Sequence, residues 1–108
     1  MIEDKFYYSD LFEVYGDILT DKQIEIMTMF LNYDLGVSEI AENLKVSRQS
    51  VFDTIRKSKE KLVFFESKVK YVKVANDVNS KLSELIDNFD DYDRSELHKR
   101  LISIRMDR

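Results

Sequence analysis

Apolar positions recur along this chain at the three- and four-residue spacing of helices, and they divide it into successive amphipathic segments. Tyr7, Leu11, Val14, Tyr15 and Ile18, flanked by Phe6 and Phe12, predict a first helix over 4–18 whose aromatic stripe is core. Thr20-Asp-Lys-Gln23 has the pattern of a capping box, in which a hydroxyl and a side-chain amide each satisfy a backbone donor. It opens a helix over about 21–33 with Ile24, Met27 and Leu31 on one face. After the connection Asp34-Leu-Gly-Val37, with Gly36 as N-cap and Glu39 in the first turn, Ile40, Ala41 and Leu44 mark a short helix. Val46 follows at a tight turn, and Ser47 caps a further helix with Val51 and Ile55 on its buried face. That helix shows no stop signal at Lys57 and is expected to run to about Phe65.

A near-heptad stripe follows, with Val69, Val72, Ala75, Val78, Leu82, Leu85 and Phe89 on one helix over about 68–88. It either packs on the preceding helices or forms a dimer interface through Val72, Val78, Leu82 and Leu85. Val69-Lys-Tyr-Val-Lys-Val74 is β-branched enough to be read as a strand, but with no partner strand its backbone would go unpaired, so helix is kept. Asp90-Asp-Tyr-Asp93 marks a turn, and Asp93 or Ser95 caps a last helix to about Met106, lined by Leu97, Leu101 and Ile104.

The 108 residues include two glycines and no proline, so few helix breakers interrupt these patterns, and the fold class is all-α. The organisation expected is a helix-turn-helix domain over 1–66, its motif at about 37–57, followed by a C-terminal helical extension over 67–108 that could dimerise. The motif itself, Ser38 to Lys57, has the small Ala41 where two helices cross closely. Arg48, Gln49, Ser50, Phe52, Asp53, Arg56 and Lys57 remain outward on its second helix. Those side chains suit base edges and phosphates in a major groove. The candidate nucleic-acid-binding residues are therefore Lys45, Ser47, Arg48, Gln49, Ser50, Asp53, Arg56 and Lys57.

Charge sharpens this reading. The net charge of −4 is unusual for a nucleic-acid binder, yet residues 45–73 hold nine bases against three acids, while residues 1–37 hold two bases against eight acids. The basic run is either a solvated helical face or a phosphate-tracking stripe. The acidic first third should keep any affinity modest and salt-sensitive.

Other chemistry finds no purchase. Without cysteine there is neither a disulfide framework nor a thiolate metal site, and His98 is the single histidine, read as a surface or cap residue. Asp90, Asp91, Asp93 and Glu96 lack the glycine and terminal glutamate of a calcium loop and read as a solvated connector. No phosphate loop, nucleophile elbow or metal-binding histidine pair occurs, so neither enzyme activity nor a cofactor or metal is expected. Met1-Ile-Glu-Asp-Lys5 lacks a signal pattern and no apolar run approaches ~20 residues, which favours a cytoplasmic protein.

Tyr15-Gly16 with Leu19-Thr-Asp-Lys-Gln23, Asp34-Leu35 with Glu39-Ile-Ala41, and Val46-Ser-Arg-Gln-Ser-Val-Phe-Asp-Thr-Ile55 together resemble the YlxM-like proteins of Gram-positive bacteria and mollicutes over about residues 5–65. The resemblance implies an all-α protein whose DNA-binding-like unit is similar to region 4 of sigma-70-type factors. It also implies a regulatory or accessory role in the signal recognition particle pathway. DNA is then the expected partner ahead of RNA, with particle components and a second copy as further partners. The alternative is an interaction module that docks on the particle's protein or RNA without binding DNA. Ser50, Phe52 and Gly36 stand where the family pattern favours alanine, tyrosine and serine. Lys45 takes a turn position that many such motifs give to glycine.

Overall fold

The computed structural model describes residues 2–105. Six α-helices form: α1 Ile2–Tyr15, α2 Asp21–Met27, α3 Val37–Leu44, α4 Arg48–Val69, α5 Tyr71–Asp87 and α6 Arg94–Ile104. No strand occurs among the described residues, and residues 71–74 are helical, so the strand reading of 69–74 is set aside. The chain divides into two compact units, Met1–Val72 and Lys73–Arg108.

In the first unit α4 is the central element, against which α1, α2 and α3 all pack. Its inward row is Val51, Ile55, Ser58, Leu62 and Glu66, spaced three or four apart. Leu11, Ile26, Met27 and Ile40 meet it from the other helices, each almost wholly buried. Ser58 stays dry in this apolar row because its hydroxyl donates to the Thr54 carbonyl at 2.7 Å.

Several boundaries differ from the sequence expectations, each for a local reason. The first helix ends at Tyr15, and a 3₁₀ turn, Gly16–Ile18, replaces its expected last turn. Its inward face is Tyr8, Leu11, Phe12 and Tyr15, whereas Tyr7 and Val14 are about 40% exposed (40% and 42%). With Phe6, Tyr7, Tyr8 and Phe12 surrounding the helix there are more aromatic residues than one face can hold, so spacing alone left the face turned by half a helical position. The Thr20–Gln23 capping box is present, with Gln23 N–H donating to Thr20 Oγ1 at 3.2 Å and Thr20 N–H to Gln23 Oε1 at 3.0 Å. The expected 21–33 helix loosens after Met27 into a π-turn, Thr28–Asn32; Leu31 is buried, as is Ile26, a residue the pattern does not single out.

At the far end α4 overruns Phe65 to Val69 and stops because Lys70 is left-handed, with φ 58° and ψ 25°. The expected 68–88 helix therefore starts at Tyr71. Within its stripe Val72 and Leu85 are buried, while Val69, Leu82 and Phe89 are exposed. In the second unit a 3₁₀ turn, Phe89–Asp91, leads to Asp93, whose carboxylate rather than Ser95 caps α6 by accepting from Glu96 N–H at 2.8 Å. The expected end of that helix at Met106 lies outside the described residues.

Lys45 is left-handed, with φ 56° and ψ 45°. Lys45 N–H donates to Glu42 O and Val46 N–H to Ala41 O, at 3.3 and 3.0 Å, which is the Schellman pattern closing α3. A non-glycine residue costs ~1–2 kcal/mol there, and glycine returns part of that as extra unfolded-state entropy. Lys45→Gly is therefore expected to raise stability, by up to about 1 kcal/mol in urea titration; a loss would mean that the lysine side chain contributes more than its backbone strain costs.

Candidate nucleic-acid interface

The site is built on the junction between α3 and α4. Gly36 opens α3 in extended conformation, and its N–H donates to Glu39 Oε1 at 3.0 Å, the half of a capping box that the N3 carboxylate makes; a serine there would add the other half by accepting from Glu39 N–H. Three residues after the left-handed Lys45, Arg48 begins α4, with Ser50 N–H donating to Ser47 Oγ at 3.0 Å. This cap fixes where α4 starts, and the buried Val51 and Ile55 fix its rotation.

That rotation sets two rows along the outward side, Arg48–Phe52–Arg56 and Gln49–Asp53–Lys57, each at i, i+4, i+8. Lys45, Ser47, Arg48, Gln49, Ser50, Arg56 and Lys57 are exposed, while Asp53 is half-buried. Gln49 Nε2 donates to Asp53 Oδ1 at 3.1 Å, which holds the amide across one turn and leaves its oxygen free to turn outward. Arg56 Nη1 donates to Glu60 Oε1 at 2.8 Å, but both side chains are about half exposed, at 49% and 64%. Such a pair is weak and exchanges readily for a phosphate. Ser47 and Ser50 are joined as cap and first-turn amide, so their part in the site is to set its backbone.

The basic run beyond the motif is not one continuous stripe. Lys59 is half-buried, its ammonium 4.7 Å from the Tyr8 ring centre and 5.3 Å from that of Phe30. Lys68 lies 5.6 Å over Phe64. These two cations cover aromatic rings of their own unit. What charge counting along the sequence missed is an apolar groove of about 570 Å³ beside the outward rows, lined by Tyr8, Phe52, Ile55, Arg56, Lys59, Glu60, Val63 and Phe64. Phe52 and Phe64 are more than half exposed, at 54% and 58%. The signal for it was present in the sequence as bulky apolar residues at positions 52, 63 and 64, off the core row.

Sequence reasoning also missed Glu66. It is buried, and its carboxylate accepts from Tyr15 Oη–H at 2.7 Å and from Val72 N–H at 3.1 Å. Burial, then the bond to this carboxylate, pushes the Tyr15 phenol above its ordinary pKa of 10.0. Among the described residues no three His, Asp or Glu side chains converge as metal ligands, and the Asp90–Glu96 segment serves as turn and helix cap. Nor, among those residues, is any helix long and apolar enough to cross a membrane.

Residues 2–102 match the family described as "putative helix-turn-helix protein, YlxM / p13 like". A UPF0122 protein of Thermoanaerobacter sp. (strain X514) is 39% identical over 85 residues, covering 79% of this chain and 73% of its own length. Another, of Clostridium acetobutylicum, is 33% identical over 103 residues, covering 89% of each chain. A third, of Clostridium perfringens (strain 13), is 40% identical over 72 residues, covering 67% of this chain and 64% of its own. With the family matched across nearly the whole length and the capped helix-turn-helix in place, the chain belongs to the YlxM/p13-like helix-turn-helix family.

Proposed function

We propose that this protein is a non-enzymatic helix-turn-helix regulator that binds DNA through α4, acts in the cytoplasm and serves as an accessory of the signal recognition particle pathway. The observation that carries the DNA reading is the capped start of α4, whose two outward rows place Arg48, Gln49, Arg56 and Lys57 on one exposed surface while Val51 and Ile55 hold its rotation. In a major groove, Arg48 or Gln49 would read base edges, and Arg56, Lys57 and Lys45 would meet phosphates. Phe52, between Arg48 and Arg56, suits a thymine methyl group. The link to the targeting particle rests on the family resemblance alone. We propose further that two chains pair, which would offer two recognition helices to one duplex.

Titration of labelled duplex DNA and of signal recognition particle RNA at two salt concentrations tests this. The wild type should bind duplex at low salt and weaken steeply as salt rises. Gln49→Ala should lose ~1–3 kcal/mol at one preferred site while sparing non-specific binding, because a base contact carries sequence and a phosphate contact does not. Wild type that binds no duplex at low salt defeats the DNA reading. The groove beside the rows then favours the second reading, a module that docks on the particle's protein or RNA without an operator.

A further inference from the structure

A carboxylate stands in the middle of the surface that the proposed reading turns toward DNA. Asp53 lies between Gln49 and Lys57 in one outward row of α4, with Arg48 and Arg56 in the other. An acid there costs affinity for any duplex, because it is repelled by the phosphates that Arg48, Arg56 and Lys57 attract. Its hydrogen bonding gives it a use in the site. Asp53 Oδ1 accepts from Gln49 Nε2 at 3.1 Å. Lys57 is equally four residues away, yet of the two it is Gln49 that holds the carboxylate.

This bond settles which way round the Gln49 amide faces. Reversed, the amide would set its oxygen against a carboxylate oxygen, two acceptors with no proton between them. The nitrogen end is therefore committed to Asp53 and the oxygen end is presented outward. Repulsion between the two oxygens is least when the carboxylate takes the amide proton that points away from the carbonyl, which leaves the proton beside the carbonyl for a base. In the major groove adenine presents a donor, N6–H, next to an acceptor, N7, and the amide oxygen with that remaining proton matches both. Guanine presents two acceptors there, O6 and N7, which meet the amide oxygen and the carboxylate unfavourably. In water the bond exchanges with solvent, but between base edges, with water excluded, it strengthens.

We infer that Asp53 fixes the Gln49 amide for adenine and against guanine, so that α4 selects a duplex site with an adenine at the position Gln49 meets. This rests on the proposed DNA reading and names the base that the site prefers. Asp53 acts through Gln49, as a positioning residue. Its charge adds a repulsive element against guanine and at the same time weakens binding to every sequence, so discrimination rises while overall affinity falls. Support of the helix, the other use of a Gln–Asp bond at this spacing, produces no such split.

Selection of binders from a randomised duplex DNA pool at low salt, followed by titration of the selected duplex and its single-base variants, tests the inference. Wild type should enrich a site containing one adenine whose replacement by guanine weakens binding about tenfold or more. Gln49→Ala should erase that preference. Asp53→Asn, whose amide can face Gln49 either way round, should cut it to about threefold or less while raising affinity for unrelated duplex about fivefold. Asp53→Ala removes the bond outright in a residue that favours helix, and should do the same. Lys57→Ala, in the same row, should weaken all duplexes evenly and leave the adenine preference in place. A wild type that binds duplex without base preference overturns the inference and leaves DNA binding standing. So does a preference for guanine at the Gln49-dependent position, or an adenine preference that survives in Gln49→Ala or in both Asp53 variants. Wild type that binds no duplex at low salt defeats the DNA reading itself, and this inference with it.

Discussion

Replacing Arg48, Arg56 and Lys57 together with alanine should remove most affinity for duplex DNA while leaving the fold in place. All three are exposed and sit outside the Val51/Ile55/Ser58/Leu62 row, and the single ion pair among them, Arg56 with Glu60, is solvent-facing. Each substitution should change stability by ~0.5 kcal/mol or less. The binding effect is of another size. Every phosphate contact contributes about 0.9 to the slope of log K against log salt, so losing Arg56 and Lys57 should flatten the slope by nearly two units and cost about tenfold or more in affinity at 0.1 M salt, with the loss of Arg48 adding to it at a preferred site. The part carried by Arg56 and Lys57 should be uniform across sequences, unlike that of Gln49→Ala. Duplex titration of wild type and triple variant at several salt concentrations measures both quantities. An unchanged slope would mean that other cations carry the phosphates, or that DNA is not the partner. Lys59 and Lys68 are poor substitutes, because their ammonium groups already lie over aromatic rings.

The parts of the fold that local chemistry specifies were legible in the sequence. The Thr20–Gln23 capping box, the Gly36 N-cap with Glu39 in the first turn, the Ser47 cap and the Val51/Ile55 spacing are each written within five residues of chain and need no knowledge of what packs elsewhere. The resemblance placed Lys45 at a turn position that many such motifs give to glycine, and the backbone there is left-handed. What sequence could not rank were choices decided by competition between faces. In α1 aromatic residues occur on every side, and only the packing of α4 decides that Tyr8 and Phe12 turn inward while Phe6 and Tyr7 do not. The π-turn after Met27 has no composition of its own that the sequence announces. In the candidate site, the exposed residues of α4 follow from periodicity, but the groove beside them depends on Tyr8, more than forty residues away in sequence. The same holds for Glu66, which looked like one acid in a basic helix because its partners, Tyr15 and Val72, come from other elements.

Glu66 is where the largest loss of stability is expected. The chain reverses at the left-handed Lys70, and α5 starts one residue later with the orphan backbone donors that every helix N-terminus carries. No side chain of the usual capping kind precedes Tyr71; Lys70 does, and a lysine can only donate. Two buried groups take the role instead. Glu66 Oε1 accepts from Val72 N–H at 3.1 Å and from the Tyr15 hydroxyl at 2.7 Å, and Tyr15 Oη in turn accepts from Tyr71 N–H at 3.3 Å. The carboxylate thus ties the end of α1, the last turns of α4 and the first turn of α5 to one point. Glu66→Ala leaves the buried Val72 amide without its acceptor, which alone costs about 1–3 kcal/mol, and opens a void beside Leu62 and Val72 in the same core. The total should reach about 2–4 kcal/mol, a fall of roughly 10–20 °C in the thermal midpoint. Glu66→Gln keeps an acceptor oxygen and should lose distinctly less. Equal losses for the two variants would assign the stabilisation to the charge, and a loss under ~0.5 kcal/mol for both would mean that the network does not hold this corner. Alkaline titration gives an independent check. The Tyr15 pKa is raised in the folded chain, so the unfolded chain gives up that proton first as pH climbs. The contribution of Tyr15 is therefore complete below pH 10.0, its unfolded value, and is lost as pH rises through the folded one. Wild type should soften in that range, and Tyr15→Phe should not show that component.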